Sequence, residues 1–143
     1  MSDLFVVTGG CGFIGSHLCE ALLCEGKRVR VLDNLSSGYE RNLAGFRDDV
    51  DLRIGDVRDA DAVRSALDGA DGVFHQAALV SVFDSVERPR DNHEINITGT
   101  LNVLEAARAA GVRRVLLASS AAVYGNDPAL PKVSLAALAR DNH

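Results

Sequence analysis

A glycine-rich run near the start of the sequence has the composition of a phosphate-binding turn. Residues Thr8–Gly15 read TGGCGFIG, which contains both a Gly-x-Gly-x-x-Gly and a Gly-x-x-Gly-x-x-Gly pattern. Glycines permit a tight turn and let the backbone approach a pyrophosphate, and a helix that begins there adds N–H donors and a positive dipole. The run therefore predicts a dinucleotide-binding turn; the alternative is a glycine-rich turn that holds no ligand.

An acidic residue stands where such a turn needs one. Asp33 ends the second apolar run, 18 residues after Gly15, and an Asp or Glu about 20 residues on accepts hydrogen bonds from the adenosine ribose. A carboxylate at that place would repel a 2′-phosphate, so the sequence favours NAD over NADP. The alternative is an ordinary turn residue at a strand end. Asp56 and Val57 follow the third apolar run, where an adenine could lie.

The cysteines and histidines point to no metal or redox centre. Cys11, Cys19 and Cys24 are odd in number and form no Cys-x-x-Cys, which favours reduced thiols in a cytoplasmic protein. Cys11 lies in the glycine run, where a helix N-terminus could lower the pKa of its thiol; the other interpretation is a small side chain that fits the turn. No two of the four histidines have helical metal-ligand spacing.

Apolar runs alternate with helix-period segments along most of the chain. The predicted strands are Leu4–Val7, Val29–Leu32, Leu52–Ile54, Val73–His75 and Val115–Ala118. The predicted helices are Phe13–Glu25, a short one near Tyr39–Phe46, one capped by Asp59, and Glu94–Ala110. The alternation predicts an α/β fold: a Rossmann-like, doubly wound parallel sheet of about five strands in a three-layer αβα arrangement.

Composition excludes several classes of protein. The 143 residues, 47% hydrophobic and 24% charged, suit one globular domain with a buried core. The net charge of -5 argues against a nucleic-acid or anionic-membrane partner. No apolar run approaches the roughly 18 residues of a membrane span, and the start of the chain lacks the basic segment of a secretory signal. We therefore expect a cytoplasmic protein.

Further motifs fall in the order and spacing of a known family. Besides Thr8–Gly15 they are Asp33-Asn34, Gly55-Asp56-Val57, His75-Gln76-Ala77-Ala78, Asn96 with Gly99-Thr100, and Ser119–Gly125, which reads SSAAVYG. From about Phe5 to Val133 the chain resembles the extended short-chain dehydrogenases of the NAD-dependent sugar-nucleotide epimerase/dehydratase family. The resemblance implies a modified Rossmann domain that holds NAD and a C-terminal domain that binds a nucleotide sugar.

The resemblance assigns residues to parts of the cofactor. It implies that Gly9, Gly12, Phe13, Ile14 and Gly15 line the pyrophosphate, that Asp33 and Asn34 hold the adenosine ribose, that Asp56 and Val57 flank adenine, and that Ala77, Ala78 and Leu79 pass near the cofactor's ribose or phosphate. Asn96 is expected to brace its helix against the sheet rather than to touch a ligand.

The resemblance also implies a reaction. Ser120 matches the active-site Ser/Thr, whose hydroxyl bonds the sugar hydroxyl being oxidised while a Tyr acts as base beside a Lys; the alternative is a serine at a strand end. Ala121 and Ala122 stand where the 4,6-dehydratases carry Asp-Glu, which disfavours dehydratase chemistry. The stretch His75–Val82 looks most like the UDP-hexose or UDP-N-acetylhexosamine 4-epimerases, and Ser81 is then a substrate-sugar contact.

The Tyr-x-x-x-Lys motif of the family is absent from these 143 residues. Leu43 and Pro128 stand four residues after Tyr39 and Tyr124, and the expected position of the base falls at or just past His143. We therefore expect a C-terminally truncated chain, with an NAD-binding domain at 1–125, a divergent tail at 126–143 and no substrate domain.

Two functions are compatible with these observations. In the first, the chain derives from an NAD-dependent UDP-hexose 4-epimerase and is inactive alone, because it lacks the Tyr-x-x-x-Lys motif and the substrate domain. In the second, it is a non-catalytic NAD(H)-binding module or a gene remnant. Members of the family form homodimers, and the interface would be incomplete here. The fifth strand would be left as an apolar edge, so we expect marginal stability.

Overall fold

Residues 3–124, the part of the chain that the computed structural model describes, form a five-stranded parallel sheet flanked by helices. The strands are β1 (Leu4–Thr8), β2 (Arg28–Asp33), β3 (Val50–Ile54), β4 (Gly72–His75) and β5 (Arg114–Leu117), in the spatial order β3-β2-β1-β4-β5. The helices are α1 (Phe13–Cys24), α2 (Ala60–Leu67), α3 (Val82–Glu87), α4 (Pro89–His93) and α5 (Gly99–Ala109). This is the predicted Rossmann-like fold; the predicted tail lies outside the described residues.

The side chains of β1 alternate between two buried clusters because successive residues of a strand point to opposite faces. Val6 packs with Val63 of α2 and Val103 of α5. Val7 packs on the other face with Cys19 of α1. All five are fully buried, so the central strand is held from both sides.

Some elements differ from the sequence-based expectations. The segment predicted as one helix over Glu94–Ala110 begins as a π-helix, Glu94–Thr98, before α5. The short helix expected near Tyr39–Phe46 is a 3₁₀ turn at Glu40–Leu43. Helices α3 and α4 were not predicted, because neither buries a residue and periodicity therefore gives no signal. No helix of the described part is long and apolar enough to cross a bilayer.

Two predicted local features are present. Asp59 caps α2, since its carboxylate accepts hydrogen bonds from the N–H groups of Asp61 and Ala62 at 2.9 and 3.2 Å. Within the described sheet β5 is an edge strand, and its Leu116 and Leu117 are 42% and 50% exposed.

Leu35, just after β2, has a left-handed backbone with a φ of 57°. This conformation costs a non-glycine residue about 1 kcal/mol or more, and Asn tolerates it better than Ala or Leu. We expect Leu35→Asn to unfold at higher urea than Leu35→Ala, by about 1 kcal/mol in the free energy of unfolding. Equal stability of the two variants would show that the strain is absent.

Candidate functional site

A cleft of about 880 Å³ opens where β1 and β4 end. Helix α1 follows β1 onto one face of the sheet, whereas α5, after β4, packs on the other. Ligands of doubly wound sheets bind at such a switch point, outside the carboxyl ends of the strands. The cleft is lined by all twelve residues expected at a cofactor, namely Gly9, Gly12, Phe13, Ile14, Gly15, Asp33, Asn34, Asp56, Val57, Ala77, Ala78 and Leu79.

The glycine run closes into a tight turn at the start of α1. Gly9 has a left-handed φ of 68°, and the Gly12 N–H donates to its carbonyl at 3.1 Å. A Cβ on Gly15 would overlap the same carbonyl oxygen, so the helix approaches the turn as closely as glycine allows. A Cβ on Gly12 would meet only this oxygen, at 3.2 Å. Gly12 therefore borders open space in the cleft, which a side chain would fill.

The N-terminus of α1 is open toward this space. No side chain caps the helix and no acidic residue lies in its first turn. The first N–H groups of a helix have no partner within the helix, and Phe13, Ile14 and Gly15 line the cleft. Backbone donors and the positive end of the helix dipole are thus available to an anion.

Asp33 links the glycine turn to the end of β2. Its two carboxylate oxygens accept hydrogen bonds from the N–H groups of Cys11, at 2.9 Å, and Leu35, at 2.8 Å. The residue is only 7% exposed. Each oxygen keeps a second lone pair, so Asp33 can shape the turn and still accept from a ribose hydroxyl.

Asp56 forms a second polar cluster on the cleft wall. Arg58 holds the carboxylate with Nε and Nη2, at 3.0 and 2.8 Å, and Asn34 donates to it at 2.8 Å. The hydrogen bonds from Arg58 hold the pKa of Asp56 well below its usual range, against the opposing effect of burial. Asp56 is therefore an anion and a fixed acceptor at neutral pH.

The serines expected at the substrate occupy different places. Ser81 lines the cleft, and its Oγ caps α3 by accepting from the Asp84 N–H at 3.1 Å. Ser120 is exposed and its Oγ accepts from the Ala122 N–H at 3.1 Å. The residue before it, Ser119, is the one that borders the cleft. The assignment of Ser120 to the sugar stays a prediction.

Sequence reasoning missed part of the lining. The additional polar residues are Ser36, Ser37, Arg58, Gln76, Asp84, Arg88, Asp91 and Ser119. Ser36 and Ser37 lie within four residues of Asp33 in a polar, glycine-containing stretch, a signal for a loop at the same edge of the sheet. Arg88 lies between α3 and α4, which the sequence did not predict, so no local signal could place it.

Cys11 is not an activated thiol. Burial raises the pKa of the thiol to about 11, with a smaller contribution from Asp33. Of the two interpretations of Cys11, a pKa lowered by the helix N-terminus is not supported, because desolvation disfavours the thiolate more. Cys11 is fully buried and serves as a small side chain under the turn. The described residues hold no group of three or more His, Cys, Asp or Glu that could bind a metal ion.

Comparison with protein families places the chain in one known family. The chain matches the NAD dependent epimerase/dehydratase family over residues 5–141. The chain belongs to this family. The match includes the glycine turn, Asp33 and the segments that line the cleft.

Three members illustrate the similarity. A UDP-glucose 4-epimerase of Streptomyces lividans is 41% identical over 139 residues, 95% of this chain and 41% of that protein. The Thermus thermophilus UDP-glucose 4-epimerase, solved with NAD, has a TM-score of 0.78 at 42% identity, covering 91% of this chain and 42% of the other. A Methanobrevibacter ruminantium UDP-N-acetylglucosamine 4-epimerase, in complex with UDP-N-acetylmuramic acid, has a TM-score of 0.80 at 40% identity, covering 94% and 43%.

The chain thus spans less than half the length of each of these epimerases. Its similarity to them extends over the sheet, the helices and the cleft described above.

Proposed function

We propose that the cleft binds NAD(H), with the pyrophosphate at the N-terminus of α1. The observation that carries the proposal is the open helix end beside Gly12: uncapped N–H groups, a space that a Cβ would fill, and no acidic residue in the first turn. An anion at this end would satisfy those donors and gain from the helix dipole. The NAD-bound Thermus relative supports the same ligand.

The polar groups of the cleft suit the rest of the dinucleotide. Asp33 would accept from the adenosine ribose, and Asn34 adjoins it at the end of β2. Asp56 and Val57 would flank the adenine, with the Asp56 carboxylate held in place by Arg58 and Asn34. Ala77, Ala78 and Leu79 would pass the cofactor's other ribose or its phosphate. When bound, NAD would supply a hydride acceptor for a sugar hydroxyl.

We propose further that the chain derives from a UDP-hexose 4-epimerase, and that Ser81 and Ser120 face the sugar. The 143 residues contain no Tyr-x-x-x-Lys, so the chain alone lacks the base that would remove the proton of the sugar hydroxyl. We expect NAD binding by calorimetry without turnover of UDP-glucose or UDP-N-acetylglucosamine. Turnover by the pure chain would contradict the second part, and absence of NAD binding would contradict the first.

Cofactor choice gives a separate prediction. A 2′-phosphate would stand beside the Asp33 carboxylate, where two like charges at about 4 Å repel by about 1–4 kcal/mol. We expect NADP to bind at least about tenfold more weakly than NAD, a difference of about 1.4 kcal/mol. Competition against NADH fluorescence measures both affinities on one sample. Equal affinities would place the adenosine ribose away from Asp33.

A further inference from the structure

His75 is a buried titratable residue at the cleft that the proposed chemistry does not use. It ends β4, is 5% exposed, and directly precedes Gln76–Leu79, a segment that lines the cleft. Its ring lies between two hydroxyl groups: Nδ1 is 2.7 Å from Thr8 Oγ1 and Nε2 is 3.0 Å from Thr100 Oγ1.

The hydrogens of this network can be assigned by counting donors and lone pairs. The Thr8 hydroxyl oxygen faces the N–H groups of Gln76 and Ala77, both at 3.2 Å, and the Gln76 N–H is shared with the Thr8 backbone carbonyl at 3.1 Å. These two donors occupy the two lone pairs of the hydroxyl. Its own hydrogen must therefore go to Nδ1 of His75, which accepts it as an unprotonated nitrogen.

The other end of the ring leads to the same assignment. The Thr100 hydroxyl donates to the carbonyl of Asn96 at 2.8 Å, so its oxygen is free to accept. Nε2 of His75 then carries the hydrogen and donates it to Thr100. The Thr100 end calls for a hydrogen on Nε2 and the Thr8 end for an unprotonated Nδ1, and only the two together describe a neutral ring.

The network holds both ends of the segment that lines the cleft. At its start, the N–H groups of Gln76 and Ala77 are tied to Thr8. At its end, the Asn96 side chain accepts from the Leu79 N–H at 2.8 Å and donates to the Leu79 carbonyl at 2.9 Å. Thr100 lies four residues after Asn96, so one stretch of helix contacts both His75 and Leu79.

The same segment touches the glycine turn backbone to backbone. A Cβ on Gly9 would come within 2.8 Å of the Ala77 nitrogen and 2.9 Å of the Gln76 carbonyl carbon. A shift of the Gln76–Ala77 backbone would therefore displace the glycine turn that precedes α1.

Protonation of His75 would break this arrangement. A hydrogen on Nδ1 would face the Thr8 hydroxyl oxygen and compete with the loop amides of Gln76 and Ala77 for its lone pairs. The register neighbours of His75 are Thr8 of β1 and Leu117 of β5, and Thr100 contacts it from α5. None of these three neighbours titrates.

We propose that His75 is a positioning residue for the cofactor: its neutral ring, with the hydrogen on Nε2, fixes Gln76–Leu79 against the glycine turn, and protonation of the ring weakens NAD binding. The inference rests on the proposed NAD site and adds a proton-linked control of its shape. Burial lowers the pKa of His75, which keeps the ring neutral at pH 7.

The tautomer can be measured without any ligand. Long-range ¹H–¹⁵N spectra of the labelled 143-residue chain at pH 7.5 should show His75 with a protonated Nε2 and an unprotonated Nδ1. The His75→Asn variant identifies its signals. A hydrogen on Nδ1 would overturn the inference, whether or not NAD binds.

The second test is the pH dependence of NAD affinity between pH 7.5 and 5.0. For one linked proton, affinity should fall below the ring's pKa with a slope that approaches about tenfold per pH unit. His75→Asn places a non-titrating oxygen near the position of Nδ1 and should flatten the profile. His93→Asn, at an exposed histidine of α4 outside the cleft, should keep it. The same slope in wild type and His75→Asn would overturn the inference.

A pair of Thr8 variants separates positioning from general damage. Thr8→Ser keeps the hydroxyl and should retain both NAD affinity and its pH profile. Thr8→Val keeps the shape but removes the hydrogen bonds, and should bind NAD more weakly even at pH 7.5, where the ring is neutral. Equal affinity of the two variants would overturn the inference. If neither the wild-type chain nor any variant binds NAD, the proposed function fails. The tautomer measurement, which needs no ligand, then tests the His75 network by itself.

Discussion

Gly12→Val is expected to abolish measurable NAD binding while leaving the fold intact. The backbone at Gly12 is extended, with a φ of -77° and a ψ of 175°, so any residue can adopt it. The new Cβ would lie 3.2 Å from the Gly9 carbonyl oxygen, which has to shift only slightly to accommodate it. The new side chain would stand in the cleft, beside the open end of α1. A displaced pyrophosphate would lose charge-assisted hydrogen bonds worth about 1.5–3 kcal/mol each, so two of them correspond to at least about 100-fold in affinity.

The controls for this variant are two other glycines. Gly45→Val changes a glycine whose Cβ would meet nothing within 4 Å, and should bind NAD like wild type. Gly15→Val would overlap the Gly9 carbonyl and should destabilise the chain by several kcal/mol, about 3 or more. Calorimetry with NAD, together with thermal unfolding by circular dichroism, distinguishes the three. If Gly12→Val bound NAD with wild-type affinity, the pyrophosphate would not bind at this turn.

Asp33→Ala is expected to weaken both the fold and the site. The substitution leaves the buried Cys11 N–H and the partly buried Leu35 N–H without their acceptor, which costs about 2–4 kcal/mol in the free energy of unfolding. NAD affinity should fall by at least about tenfold, since the turn loosens and the ribose loses an acceptor. Urea unfolding and NADH fluorescence measure the two effects.

Asp48→Ala is the matched control for this variant. Asp48 is an exposed carboxylate of a 3₁₀ turn outside the cleft, and its removal should change stability by less than about 0.5 kcal/mol. Equal unfolding of the Asp33 and Asp48 variants would contradict the role of Asp33 as the link between the glycine turn and β2.

Local patterns account for most of the fold. Short apolar runs identified the five strands, and the four-residue apolar spacing identified α1 to within one residue of its end. Asp59 is recognisable as a helix cap because its side chain can accept hydrogen bonds and it directly precedes α2. The helix and its cap depend on contacts within a few residues, and each buried strand shows itself as a local apolar run, which is why periodicity and capping chemistry predict these elements.

Other elements depend on partners that are far away in sequence. The π-helix turns Asn96 toward Leu79, an interaction across 17 residues that no periodicity reveals. Helix α3 carries exposed Val82, Phe83 and Val86, so it shows no buried stripe by which to recognise it. Arg88 borders the cleft because it lies between the short helices α3 and α4, which follow the cleft wall.

The sequence by itself determined the chemistry that the cleft offers: a glycine turn, a carboxylate after the second strand, and the order of strands and helices that follows from their spacing. Only the tertiary structure decided how these groups are coupled. Thr8 and His75 are 67 residues apart and meet because β1 and β4 pair in register. That pairing places the His75 ring between two hydroxyl groups, and no local sequence pattern encodes a contact between residues so far apart in the chain.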